Sequence, residues 1–395
     1  MHRLREFLAC CILLTCNVVS GGSVNDGPLK VEPVVLTLEI GTNDTIEYTY
    51  HDDLEGDIKL QIGSKNPEIT IDPTTIVITP QKKSATVTVH GLAVTSRSYV
   101  DVDRCWIIAN GSETDCPFNT SRTFVTTKVV KSNLISVIVY ICGFIFFIAW
   151  SISFYPQIIL NYRRKSVIGL NFDFLLLNFV GFGCYTVYNI LFFFDDTVQD
   201  IYLSTHPHNL IPVLINDVIF ASHAFFVCIV TGIQCFIYER GDQRISMICR
   251  GWSSLLVLLA IVSVILAALS VVNWLQFIYL LSYIKMAVTV SKYLPQAILN
   301  YKRKSTVGWS IGNILLDFTG GCTDIFQMVL QATNTDDWSV FTGNPVKFGI
   351  GSVSIFFDIF FMTQHYILYR HSNQDEKLCK PESMNGSVAK EASSL

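Results

Sequence analysis

The chain has 395 residues, of which 50% are hydrophobic and only 15% charged, against the quarter or so that is usual in a soluble globular protein. With 28 basic and 32 acidic residues the formal net charge is −4, so no polycationic surface is available to grip nucleic-acid phosphates. The apolar excess lies after Ser132, in runs too long for core helices of a water-soluble domain, which excludes a cytosolic enzyme and points to the lipid bilayer.

Residues 1–22 read as a signal peptide: basic His2, Arg3 and Arg5, an apolar stretch from Phe7 to Val19, then small Ser20, Gly21 and Gly22. That stretch is short of the roughly 20 residues a span needs. From 23 to 131 the pattern becomes short alternating runs punctuated by turn formers, as in Leu36-Thr-Leu-Glu-Ile40, Ile58-Lys-Leu-Gln-Ile62 and Ala85-Thr-Val-Thr-Val89. Period two predicts antiparallel strands, about seven or eight of them, and hence a small β-sandwich. N-x-Ser/Thr sequons at Asn43, Asn110 and Asn119 mark this domain for glycosylation on the lumenal side. Of the twelve cysteines, only Cys105 and Cys116 fall in that oxidising compartment, eleven residues apart across a Gly-containing turn, which predicts one disulfide. No second ligand pair accompanies them, so a metal site is not expected, and nothing in the chain requires a cofactor.

Seven apolar segments follow, at 132–155, 172–194, 212–238, 252–272, 275–298, 309–331 and 346–369, each long enough to cross a bilayer as a helix. Basic residues gather after the first span (Arg163, Arg164, Lys165), the third (Arg240, Arg244, Arg250) and the fifth (Lys302, Arg303, Lys304). The loops 195–211 and 332–345 have no Lys or Arg, so the positive-inside rule puts the amino terminus in the lumen and the carboxyl terminus in the cytosol. Trp252, Trp274 and Trp309, at span ends, read as interfacial anchors. The polar tail 371–395 is expected to be disordered and cytosolic.

Compared with itself, the chain repeats. Pro156-Gln-Ile-Ile-Leu-Asn-Tyr-Arg-Arg-Lys-Ser-Val-Ile-Gly169 returns as Pro295-Gln-Ala-Ile-Leu-Asn-Tyr-Lys-Arg-Lys-Ser-Thr-Val-Gly308, a shift of 139 positions without a gap. Leu176-Leu-Asn-Phe-Val-Gly181 returns as Leu315-Leu-Asp-Phe-Thr-Gly320 at the same shift. Residues 132–238 and 273–370 are therefore two three-helix repeats, and one linker helix within 239–272 makes them run parallel across the membrane. Parallel repeats of this kind are a transporter architecture with the substrate site between the copies. Pro156 and Pro295, each followed by a glutamine (Gln157, Gln296), are expected to kink the first and fifth spans equally and to act as hinges. Asn300 and its twin Asn161 read as structural caps of the kinked ends.

The paired Phe154-Tyr-Pro-Gln157 and Tyr293-Leu-Pro-Gln296 segments with their basic followers resemble the PQ-loop family, related in architecture to SWEET-type sugar facilitators. Ala149-Trp-Ser-Ile-Ser-Phe-Tyr-Pro-Gln157, Ser282-Tyr-Ile-Lys285, Gly308-Trp-Ser-Ile-Gly-Asn313 and Leu316-Asp-Phe-Thr-Gly-Gly321 are similar to its cystinosin branch, the lysosomal cystine transporters. The resemblance implies proton-coupled export of L-cystine from the lysosome to the cytosol by alternating access. It implies that Asn178, Lys285, Lys292, Tyr293, Asn313 and Asp317 bind cystine, and that Asp217, Asp317 and Asp358 carry protons. Contacts with the lysosomal proton pump and with nutrient-sensing complexes are expected from the resemblance alone. The family's carboxyl-terminal Gly-Tyr sorting signal is absent from this tail.

The residues support those types independently. A charge at the centre of a membrane helix costs on the order of 3 kcal/mol on insertion scales, so Asp217, Lys285, Lys292, Asp317 and Asp358 require pairing or a function. Internal Lys–Asp ion pairs that fix packing are the plain alternative, yet three carboxylates against two lysines leave one unmatched. The copies share a frame but not charges: Asn178 stands opposite Asp317, and Ser153 opposite Lys292. Cystine, with two α-amino and two α-carboxylate groups, suits a site mixing Lys, Asp and amides. Asn313 and Asp317, four apart, share one helix face. Asp324 is expected to point at a lumenal vestibule without a role, and His223 and His365 read as satisfied core residues. A seven-helix receptor does not explain the duplication, no hydrolase motif is present, and a sugar facilitator would need no buried charges.

Overall fold

The computed structural model describes residues 27–54, 56–109, 112–206, 211–339, 341 and 345–372. The signal peptide, the Asn110 sequon and nearly all of the tail lie outside the described residues. The chain divides into two compact units, one comprising Met1–Cys142, Phe193–Ile215 and Phe326–Asn344, the other Gly143–Phe192, Asn216–Ile325 and Pro345–Leu395.

The first unit is built on ten strands: β1 (Leu29–Glu32), β2 (Val35–Glu39), β3 (Asn43–Tyr50), β4 (Asp57–Gly63), β5 (Ile69–Asp72), β6 (Thr75–Ile78), β7 (Ser84–Gly91), β8 (Thr95–Ala109), β9 (Ser112–Asp115) and β10 (Phe124–Val130). They form a four-stranded sheet in the order β1-β3-β7-β5 and a six-stranded sheet in the order β2-β10-β8-β4-β6, with β9 beside β8. Alternation dictates the layering: Val31, Ile46, Tyr48, Val87 and Val89 of one sheet share a buried core with Leu38, Ile58, Leu60, Ile78 and Val129 of the other. Two details depart from expectation. β1 and β9, four residues each, are short for alternation to reveal, and β10 pairs with β2 in parallel rather than antiparallel fashion. Cys105 and Cys116 are joined, with Cα atoms 5.5 Å apart, closing the β8–β9 hairpin. Asn43 and Asn119 are exposed.

The same unit holds a helix within the segment expected to be a loop, α4 (Asp196–Thr205), started by the Asp195 carboxylate accepting from the Val198 amide at 2.9 Å. Arg122 pairs with Asp200 of α4, Lys131 with Asp336, and Ser96 donates to Asp337. Hydrogen bonds from Ser339 and then Ser96 hold the Asp337 carboxyl below its usual range.

The remaining helices are α1 (Asn133–Ile152), α2 (Tyr155–Arg164), α3 (Phe172–Phe194), α5 (Ile215–Ile237), α6 (Met247–Ala268), α7 (Trp274–Arg303), α8 (Ile311–Thr335) and α9 (Pro345–Thr363). Among the described residues five stretches are long and apolar enough to cross a membrane: α1 with α2, then α3, α5, α6 and α7. The chain is a helical membrane protein carrying a β-rich amino-terminal domain. The expected equality of the two proline kinks does not hold. α1 ends at Ile152 and Pro156 enters the first turn of α2, where its missing N–H leaves no bond unmade, whereas Pro295 lies inside the unbroken 30-residue α7.

Candidate functional site

Both glutamines of the Pro-Gln pairs are buried, and both reach across to the other repeat. Gln157 Nε2 donates to the Gly308 carbonyl at 3.0 Å, and its Oε1 accepts from the Ser310 amide at 2.8 Å. Gln296 Nε2 donates to the Gly169 carbonyl at 3.0 Å, and its Oε1 accepts from the Asn171 amide at 2.8 Å. Each glutamine also donates to the asparagine one turn on, Gln157 to Asn161 at 2.8 Å and Gln296 to Asn300 at 2.9 Å. Those asparagines in turn donate to Gln234 and Gln364, at 2.9 and 3.0 Å. The result is a reciprocal clasp with approximate two-fold symmetry. Asn161 and Asn300, read as caps, are links in it.

Gly169 and Gly308 lie at its centre with φ of +105° and +97°, a region that glycine alone enters freely. A Cβ on Gly308 would fall 2.0 Å from the Ile168 carbonyl oxygen, and one on Gly169 2.2 Å from that of Val307. A second exchange lies deeper in the helices. Gly181 of α3 faces Val288 of α7, and its twin Gly320 of α8 faces Trp150 of α1, so the second helix of each repeat packs on the first helix of the other.

The charged residues gather on the second repeat. Lys285 and Lys292 stand two turns apart on α7, hence on one face. The Lys285 ammonium lies 3.7 Å from the Phe182 ring centroid, and that of Lys292 lies 4.6 Å from Tyr293 and 5.6 Å from Phe174. Among the described residues neither lysine forms an ion pair, so the packing pairs weighed from sequence are not seen. Tyr293 donates to Asp317 Oδ2 at 3.1 Å, Ser354 of α9 approaches the same oxygen at 3.0 Å, and Trp150 Nε1 donates to the Asp317 main-chain oxygen at 3.3 Å. One turn beyond Ser354, Asp358 is fully buried, and its carboxylate has no hydrogen-bond partner among the described residues. The buried amide oxygens of Asn178 and Asn313 and the indole N–H of Trp309 likewise have none. Groups of this kind in a well-packed protein need an explanation, and a missing ligand is one.

Asp217 sits in the first turn of α5, within electrostatic reach of Tyr185. Three further expectations meet the structure. Trp309 is no interfacial anchor: it is 4% exposed and packs edge-on against Phe174 at 4.9 Å. Asp324 does not face a vestibule but is fully buried beside Gly351 of α9. His223 bonds Tyr155 at 2.8 Å and His365 bonds Thr306 at 2.6 Å. Sequence reasoning missed Ser354, Trp150, Gln234 and Gln364. Asn171 and Ser310 were within reach, since they align at the repeat shift.

The PQ loop repeat family matches the chain twice, at residues 138–198 and 277–337, the same 139-residue shift. A cystinosin homolog of Caenorhabditis briggsae is 48% identical over 337 residues, covering 84% of this chain and 82% of the relative. The cystinosin of Drosophila melanogaster is 40% identical over 375 residues, covering 94% and 91%. The cystine transporter of Saccharomyces cerevisiae is 28% identical over 263 residues, 60% of this chain and 95% of that one.

Proposed function

Because the chain belongs to the cystinosin family, transporters and not enzymes, we propose that it exports L-cystine from the lysosome lumen to the cytosol together with protons. The observation that carries this reading is the inventory of unpaired groups on the second repeat and its facing helix. Two lysine ammoniums without ion-pair partners among the described residues, Lys285 and Lys292, suit the two carboxylates of cystine. Two amide oxygens without donors among the described residues, those of Asn178 and Asn313, together with Asp317, suit its two ammonium groups. Tyr293 holds Asp317 in place.

Asp358 supplies the proton logic. Asp358 is fully buried and its carboxylate has no hydrogen-bond partner among the described residues, which makes it the candidate for the group that takes up and releases the coupling proton. Asp317 is the second exchanging group, and Asp217 on α5 a third. A lumen two pH units more acidic than the cytosol supplies about 2.7 kcal/mol per proton, enough for roughly a hundredfold cystine gradient.

Taking the basic loops as cytosolic, we read the helices as seven spans in a three-one-three order, a layout that would put the reciprocal clasp at the cytosolic ends. Closed as it stands, it is the inner gate, and alternating access requires the Gln157 and Gln296 bonds to open together. Proteoliposomes loaded at acidic pH test the reading. Labelled cystine should leave with a measurable proton flux, and Asp317→Asn should cut both on the order of a hundredfold. Equal transport of glucose and cystine without proton movement would sink it.

A further inference from the structure

Three oxygens meet between α7, α8 and α9. Tyr293 Oη lies 3.1 Å from Asp317 Oδ2, Ser354 Oγ lies 3.0 Å from the same oxygen, and Tyr293 Oη and Ser354 Oγ are themselves 3.0 Å apart. All three contacts are of hydrogen-bond length, and each needs one proton.

With Asp317 ionised only two protons are available, one on each hydroxyl, and one contact is left as lone pair against lone pair. Two hydroxyls donating along the separate lone pairs of one carboxylate oxygen would also stand about 5 Å apart, not in contact. With Asp317 protonated the count closes. The acid donates to Ser354, Ser354 to Tyr293, and Tyr293 back to Asp317, a ring with every contact satisfied.

We infer that Ser354 is a positioning residue for the proton on Asp317: its hydroxyl accepts that proton's hydrogen bond and completes a three-oxygen ring that exists only in the protonated state. This deepens the proton-coupling reading above and rests on it. The groups within electrostatic reach of Asp317 are Lys285, Lys292 and Tyr293 on α7 and Asp358 on α9, while Trp150 of α1 donates to its main-chain oxygen. None of these can replace the Ser354 hydroxyl in the ring, because Ser354 alone of the described residues is hydrogen-bonded to both Tyr293 Oη and Asp317 Oδ2.

The test is the pH dependence of cystine-driven current across reconstituted membranes for the parent, Ser354→Ala and Ser354→Thr. Removing the hydroxyl should move the half-maximal pH toward acid by about one unit, the worth of one ordinary hydrogen bond, while saturating acid restores most of the parent rate. The threonine variant, which keeps the hydroxyl, should retain the parent midpoint even if its rate falls. An alanine midpoint that stays put, or moves toward alkali as it would if Ser354 only donated to an ionised carboxylate, overturns the ring.

Should Ser354→Ala fail to reach the membrane, the parent itself decides. Its infrared spectrum without substrate, at acidic pH, should contain a hydrogen-bonded carboxylic-acid band that Asp317→Asn removes, and absence of that band sinks the proposal. A parent with no pH dependence would take away proton coupling, and the ring with it, whereas a pH-dependent parent with an unmoved alanine variant takes away the ring alone.

Discussion

The two repeats differ in an instructive way. The parts that close the molecule on itself are duplicated: Gln157 and Gln296, Asn161 and Asn300, and Gly169 and Gly308 make matching contacts in both copies, and Gly181 and Gly320 each pack on the first helix of the other copy. The parts that carry charge are not. Lys292 faces Ser153 across the alignment, Asp317 faces Asn178, and Lys285 faces Phe146. In the transport cycle proposed above, symmetry would serve the gate, which has to open and shut as a unit, and asymmetry the site, which has to hold a dipolar solute and a proton in defined places.

The strongest way to break this comparison is at its centre. Gly169→Ala and Gly308→Ala each force a side chain into a left-handed backbone region and onto a carbonyl oxygen, at a cost of about 3 kcal/mol or more. Both should lose most folded protein in a thermal melt of the detergent-solubilised chain, and to a similar degree. Damage from one alone would show that the clasp is not two-fold.

Next comes the charge. Asp317→Asn makes the second repeat match the first at that position and should cut cystine transport on the order of a hundredfold, as expected for losing about 3 kcal/mol from a charged acceptor. Asn178→Asp, the opposite change, should not rescue it. Rescue would mean that the site is indifferent to which repeat bears the carboxylate.

Smaller effects sharpen the gate. Gln157→Ala and Gln296→Ala each remove two bonds between the repeats, about 2 kcal/mol together, and should expose the clasp. In a background of Ser310→Cys, thiol labelling from the cytosolic side should quicken by roughly thirtyfold for either alanine variant.

The least effect is expected in the other unit. Asp337 is held below its usual range by Ser339 and Ser96, and a group lowered on folding contributes stability above its unfolded value that is lost only as pH falls through the folded one. Amide protection around Ser96 should therefore stay level from neutral pH to about pH 5 and decline only below about pH 4, where Asp337→Ala should show none of that dependence.

Much of this was legible before any coordinates. The 139-residue shift fixes the repeat frame, and reading one copy against the other exposes the charge asymmetry directly. What the alignment does not say is that each glutamine grips the other copy rather than its own, because identical partners in both copies leave the choice open. Gln234 and Gln364 escaped because they are 130 positions apart, out of step with the rest. Ser354 escaped because an isolated serine on an apolar helix gives no signal until its neighbours on two other helices are known. The β-rich domain was readable as a class, since alternation reports burial, but alternation is silent on which strand pairs with which, and the parallel β2–β10 pair lay beyond it.

Exchange of the clasp has a consequence for ancestry. A chain with a single triple-helix module could not satisfy its own Pro-Gln glutamine and would have to meet a second identical chain to do so, each lending its glycine turn to the other. In such a homodimer any acidic substitution would appear twice, and two carboxylates facing one small solute would repel each other. Fusion of the modules into one polypeptide lifts that constraint, since a lone aspartate can then arise on one half while the other keeps its neutral amide.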